Sequence, residues 1–266
     1  MTLDVAAIAE ELGLIGTLAV VVCLALLTGR AFRIALLCVP PFERLLATGI
    51  GTLTFSDRAG RRFGALGHQI VDGNGRPFRF ATGSVVEAFI SGVRPGRPGV
   101  PGEKIGIFLN EDRRLGTIER NTPLGIFGRL EKVPDGWQVL PVALENEVRP
   151  GPARLLTVIR GQQPEAFDVY IERVWPRGQA SDKGVVVRVT DERLLATTGG
   201  IVQGMSGSPI VQDGKLAGVV THVFVNDPTR GYGLFAEWMV RELRTSADVA
   251  AALPGARGKS ALAERR

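Results

Sequence analysis

Apolar residues are distributed along this chain in two ways. From Leu12 to Gly29 they run on without a charge, whereas from Gly49 onward they come in short alternating runs cut by Gly, Pro and Asp. The first pattern predicts a helix. Its 18 residues, at helical rise, span about 27 Å against a hydrocarbon core of about 30 Å. Such a helix is a membrane anchor or uncleaved signal, or else a buried helix packed on the domain that follows. A second apolar run, Ile34 to Phe42, contains Pro40-Pro41 and reads as an interfacial or linker element.

The second pattern predicts strands. Gly49 to Phe55 and Arg62 to Val71 form a hairpin about the turn at Ala59-Gly60. Ser84 to Ile90 is a further strand, and the Gly/Pro-rich stretch Gly92 to Gly102 is an exposed loop. Ile105 to Leu109, Gly116 to Ile118, Gly125 to Leu130 and Trp137 to Leu144 repeat at about ten-residue spacing, the rhythm of a sandwich or barrel. Ala153 to Ile159, Phe167 to Val174 and Gly184 to Val189 follow, and Ile210 to Val225 reads as a hairpin with Asp213-Gly214 at its tip. Beyond the N-terminal helix, helices are expected only from Glu192 to Thr197 and from Phe235 to Arg244. The class is all-β, with strands enough for a closed or paired barrel and no helical crossovers for an α/β sheet. The expected division is 1–45 (hydrophobic anchor and linker), 46–249 (the β-rich domain) and 250–266 (a basic flexible tail).

Composition narrows the function classes. The net charge is +5, but the basic residues are spread along the chain without the clustered stripe that nucleic acid requires. Cys23 and Cys38 both lie in the apolar N-terminal region, so the β-rich domain has neither a disulfide framework nor a cysteine zinc site. No metal or other cofactor is expected. Gly258-Lys259-Ser260 imitates the end of a phosphate loop, but Leu253 stands where its first glycine belongs.

Candidate chemistry gathers around Thr198-Gly199-Gly200-Ile201-Val202-Gln203-Gly204-Met205-Ser206-Gly207-Ser208-Pro209. Glycines on both sides of Ser206 allow a turn tight enough to project its hydroxyl while the amides of Gly204 and Ser206 face one point. Those are the parts of a nucleophile and an oxyanion hole. Ser208, followed directly by Pro209, is better placed to satisfy the turn. The base must be one of two histidines. His68 sits at a strand end beside Gly67, with room for a second side chain to approach. His222 alternates within a strand and reads equally well as a packed histidine. His68 is therefore the favoured general base.

The flanking segments resemble the SpoIVB family of sporulation serine endopeptidases, which carry a glycine-histidine site after a GIGT-type strand and a TGGIVQGMSGSP serine site. The matching pieces are Gly49 to Phe55, Gly64 to Asp72, Pro101 to Phe108, Leu115 to Gly128, Thr198 to Pro209, and Val220 to Tyr232 with Glu237-Trp238. The resemblance implies a trypsin-like double β-barrel, Ser206 as nucleophile and His68 as base. It places the acidic partner on Asp191. Read from its own surroundings, Asp191 is also a helix N-cap, with Asp72, Asp57 or a backbone carbonyl as its substitutes behind the histidine.

Ser206 would attack a peptide carbonyl, His68 would take and return the proton, and water would release the acyl-enzyme. The strand carrying Thr221, His222 and Val223 is expected to line the specificity cleft and pair with substrate by strand addition. The substrate implied by the resemblance is a membrane-bound regulator in sporulation signalling, and the chain itself. Relatives carry a peptide-binding PDZ domain between anchor and protease, for which the stretch from Gly29 to Gly49 leaves no space. The resemblance puts the protease domain outside the cytoplasm, whereas Asp4, Glu10 and Glu11 before the apolar run and Arg30 and Arg33 after it argue for the cytoplasm. The competing reading is a protease-like binding or scaffold protein whose active geometry is never completed.

Overall fold

In the computed structural model, residues 49–57, 61–72, 75–77, 83–109, 114–131, 138–175 and 183–252 are described. The anchor expected over 12–29, the run 34–42 and the tail from 253 lie outside them. Among the described residues no helix is long and apolar enough to cross a membrane.

The second half of the chain closes into a barrel. Strands β8 (Gly151–Thr157), β9 (Glu165–Val174), β10 (Val185–Val189), β11 (Pro209–Gln212), β12 (Lys215–Phe224) and β13 (Asp227–Phe235) pair antiparallel in the order β10-β13-β12-β11-β8-β9. Period-two alternation sends Ala153, Leu155, Phe167, Val169 and Ile171 inward, while Arg154, Asp168 and Tyr170 face out. Closure leaves the barrel without open edges. Its core also takes in Val187, Ile210, Phe235 and the side chain of Met205.

The first half builds a five-stranded sheet from β1 (Leu53–Ser56), β2 (Arg62–Ala65), β3 (Gly83–Val86), β6 (Arg114–Thr122) and β7 (Gly125–Leu130), in the order β1-β2-β7-β6-β3. Phe63, Ala65, Ile126 and Leu130 form its core. A separate ribbon pairs β4 (Ala88–Arg94) with β5 (Glu103–Phe108). Among the described residues one barrel closes and the other sheet stays open.

The expected strand 84–90 is divided at Glu87, and β4 continues through Gly92 into the predicted loop. The strand expected over 137–144 is absent from 138 onward. In its place stand a single bridge between Val142 and Leu216 and a 3-10 turn at Glu145–Glu147. The hairpin at Asp213-Gly214 is present, and a second turn at Val225-Asn226 leads from β12 straight into β13.

Two helices complete the described fold, α1 (Glu192–Thr198) and α2 (Ala236–Ala252). Met239 and Leu243 of α2 pack with Phe127 of β7 and with Val219 and Leu234 of the barrel. The helix thus binds the open sheet to the closed one. Arg120 of β6 reinforces this, donating to the Glu242 carboxylate at 2.7 Å and to its carbonyl at 3.1 Å. Replacing the fully buried Met239 by Ala is expected to lower the free energy of unfolding by about 2–5 kcal/mol, read as a lower denaturant midpoint; an unchanged midpoint would show that α2 does not hold the halves together.

Candidate active site

Residues Gly200 to Ser208 lead from α1 into β11, and hydrogen bonds from four directions fix them. Ile201 N–H reaches Pro228 O at 2.7 Å, and Gln203 N–H reaches Gly102 O at 2.8 Å. Thr52 N–H donates to Ser206 O at 2.9 Å, and Gly207 N–H to Val220 O at 2.8 Å. The amides of Gly204 and Ser206 donate to nothing among the described residues. Gly207, at φ +84°, can only be glycine, because a Cβ would stand 2.5 Å from Thr52 O and 2.6 Å from Leu66 N. Ser206 is half-buried, whereas Ser208 is wholly buried.

His68 follows two residues in the left-handed region, Leu66 at φ +69° and Gly67 at φ +71°. A Cβ on Gly67 would meet Val219 Cγ2 at 2.6 Å and Thr221 Cγ2 at 3.0 Å. The histidine segment thus lies directly on β12. The imidazole Nδ1 is 3.0 Å from Gln69 O. A carbonyl only accepts, so Nδ1 carries the hydrogen and the neutral ring keeps its basic lone pair on Nε2.

The rings of His68 and His222 lie 4.9 Å apart, tilted by 41°. Ser206 Oγ donates to the carbonyl of Thr221, the residue before His222, at 3.0 Å. The structure therefore brings Ser206, His68, Thr221 and His222 to one place where the two halves meet. The serine hydroxyl is bonded to Thr221 rather than to His68. His222 is exposed, not a core histidine, and Val223 lies beside it on β12. The pairing of β11 with β12 ends at Val219, where the nucleophile turn takes over through Gly207 and Ser208.

Among the described hydrogen bonds, none joins Asp191 to His68. It is the N-cap of α1, accepting from the amides of Arg193 at 2.9 Å and Leu194 at 3.3 Å. It also accepts from the Asp168 amide at 3.2 Å and the Arg193 guanidinium at 3.0 Å. The Arg193 guanidinium first, and then these amides, hold its carboxyl at about 2, below the ordinary 3.8. Its acceptor positions are taken up locally, the arrangement of the N-cap reading of this residue. Asp57 is engaged with Arg62 across the β1–β2 hairpin, and Asp72 closes a turn with Arg76. The group behind His68 is the carbonyl of Gln69.

Beneath the turn runs a buried polar column. Lys104 Nζ donates to Thr157 Oγ1 at 2.8 Å, Ser208 Oγ donates to the same oxygen at 3.0 Å, and Ser208 Oγ meets Thr52 Oγ1 at 3.2 Å. Burial pushes the Lys104 amine down from 10.5 to about 7. Alternation along the sequence points the other way, since it would bury Ile105 and Ile107 and expose Lys104. Lys104 shares a strand face with Gly106, opposite Ile105 and Ile107, and the fold turns the lysine inward while those isoleucines are 46% and 58% exposed. Among the described residues no group of three or more His, Cys, Asp or Glu is placed to hold a metal ion.

Comparison with known proteins adds the family. The model of the SpoIVB peptidase S55 family matches residues 42–240, and one described as Cell cycle protein matches residues 4–78. No curated protein matches. Solved structures similar in outline include an inactive mutant of Rv3671c from M. tuberculosis H37Rv, at 16% identity and TM-score 0.38, covering 65% of this chain and 88% of that one. Human heparin binding protein aligns at 16% identity and TM-score 0.36, covering 79% and 88%. At these scores the two structural likenesses carry no argument.

Two pH-dependent outcomes follow from the charged groups. Asp191 has a lowered pKa, so its stabilisation is complete above about 4 and is lost as pH falls towards 2. Asp191→Ala is expected to cost about 1 kcal/mol or somewhat more at pH 7, a gap that narrows on acidification; a gap constant with pH would contradict this. Lys104 gives the same sign in a higher pH window. Between about 7 and 10.5 the unfolded chain binds its proton and the folded chain does not, so stability rises with pH by up to about 1.4 kcal/mol per unit. Lys104→Met is expected to flatten that rise in denaturant titrations, and an unaltered slope would contradict it.

Proposed function

We propose, for a chain that belongs to the SpoIVB peptidase S55 family and is a serine endopeptidase, that Ser206 is the nucleophile and His68 the general base. One observation carries this reading: an accessible hydroxyl on a turn with two undonated amides, beside an imidazole whose Nδ1 hydrogen is committed to Gln69.

In the resting arrangement the Ser206 hydroxyl is held by Thr221 O. A rotation about its χ1 releases it towards His68 Nε2, which takes the proton as Oγ attacks the substrate carbonyl. The amides of Gly204 and Ser206 receive the oxyanion, each contributing about 3 kcal/mol. His68 returns the proton to the leaving amine, and water then cleaves the acyl-enzyme. Gln69 O fixes the tautomer, the task a carboxylate performs in a full triad, and Asp191 acts through the fold alone. The substrate is an extended protein segment lying along Thr221, His222 and Val223. The support is that strand pairing by β11 stops at Val219.

We further infer that residues 12–29 anchor the chain to a membrane and that the substrate is itself held there, as a regulator in sporulation signalling or as a second copy of this chain. The support is the uncharged 18-residue run and the family resemblance.

The test is labelling with a fluorophosphonate. The wild type is expected to label at Ser206, Ser206→Ala not at all, and His68→Ala about 10²–10⁴-fold more slowly. Asp191→Ala is expected to keep its rate within about tenfold, where loss of a triad acid would cost about 10⁴-fold. Labelling that persists in Ser206→Ala would end the proposal, and a loss of the larger size in Asp191→Ala would restore that residue to the triad.

A further inference from the structure

The polar column under the nucleophile turn has no evident place in a purely structural account. Lys104 is only 7% exposed, and among the described residues Thr157 is the one hydrogen-bond partner of its amine and no carboxylate pairs with it. Neighbouring Glu103 pairs with Arg94 at the surface, at 2.8 Å. A buried amine without a counter-charge costs stability, and an apolar side chain of the same length would fill the space more cheaply. The cost is incurred directly below the reactive turn, where a Cβ on Gly204 would stand 3.2 Å from Lys104 Cβ. The backbone of Lys104 is tied in as well, donating to Gln203 O at 2.9 Å.

The far end of the column meets the histidine segment. Ser208 Oγ touches Thr52 Oγ1, while the backbone of Thr52 holds Ser206 O at 2.9 Å and Leu66 N at 3.3 Å. A shift of Thr157 or Ser208 is therefore passed to both sides of the reacting pair.

Building on the proposed roles of Ser206 and His68, we propose that Lys104 and Thr157 are positioning residues. Through Ser208 and Thr52 they set the height of the nucleophile turn against the histidine segment, without touching substrate themselves. A misplacement of about 1 Å in such a pair is enough to cost about 10²-fold in rate.

The experiment measures fluorophosphonate labelling of the full chain across a range of probe concentrations, so that the maximal rate and the half-saturating concentration are separated, alongside melting temperatures. Lys104→Met is expected to label at least tenfold more slowly at saturation with an unchanged half-saturating concentration, and to melt no lower than the wild type. Thr157→Val is expected to slow labelling likewise, and Thr157→Ser, which keeps the hydroxyl, to stay within twofold of the wild type. The double variant Lys104→Met/Thr157→Val is expected to be no more than twofold slower than the slower single variant, because one column is being cut twice. Wild-type rates in Lys104→Met and Thr157→Val would overturn the proposal. So would a Thr157→Ser variant as slow as Thr157→Val, or rate losses that track losses in melting temperature. Failure of the wild type to label at Ser206 would instead remove the nucleophile assignment, and this proposal with it.

Discussion

Thr52 gives its amide to the carbonyl of Ser206 and its carbonyl to the amide of Leu66, two residues before His68. Those two bonds join the segment that carries the alcohol to the segment that carries the imidazole, although the residues come from different halves of the fold. Glycine at 207 is what lets the clamp close, since any side chain there would strike Thr52 and Leu66. The site is built by backbone, so its geometry depends on the two sheets being held together by α2 and on little that is local to either side chain.

The clamp has energetic costs in its surroundings. Leu66 is a non-glycine residue in the left-handed region, a conformation that costs on the order of 1–3 kcal/mol and persists only where neighbours over-determine it. Lys104 is buried with no counter-charge among the described residues. Both lie within the shell that sets Ser206 and His68, and both are offset by the closed barrel, whose Leu155, Phe167, Ile171, Ile210 and Phe235 are inaccessible to solvent. Rigid hydrophobic packing below and a strained polar layer above divide stability from chemistry.

The barrel was legible in the sequence wherever strands alternate cleanly. Phe167 to Val174, Gly184 to Val189 and the Asp213-Gly214 hairpin could be read because one face of each is continuous core. β13 was missed because Pro228, Gly231 and Gly233 weaken its strand signal. The two glycines are there for close approach to β12, a tertiary demand that no local pattern reveals. The expected strand from Trp137 to Leu144 has apolar residues enough, but its described part, 138–144, has among the described residues no strand partner beyond the bridge at Val142. Ser206 and His68 stood out through their glycines. Asp191 carried two readings, and the N-cap geometry visible in its own surroundings is the one its hydrogen bonds follow. Lys104 stayed hidden because its strand buries the face that hydrophobicity alone would expose.

The central claim is that Ser206 leaves Thr221 O and meets His68 without any carboxylate reaching the imidazole. A crystal structure of the phosphonylated enzyme tests it most directly. The account predicts a covalent bond from Ser206 Oγ to phosphorus, the phosphonyl oxygen within hydrogen-bond reach of the Gly204 and Ser206 amides, and His68 Nδ1 still on Gln69 O. An adduct on another residue, or an imidazole swung over to Asp191, would contradict it.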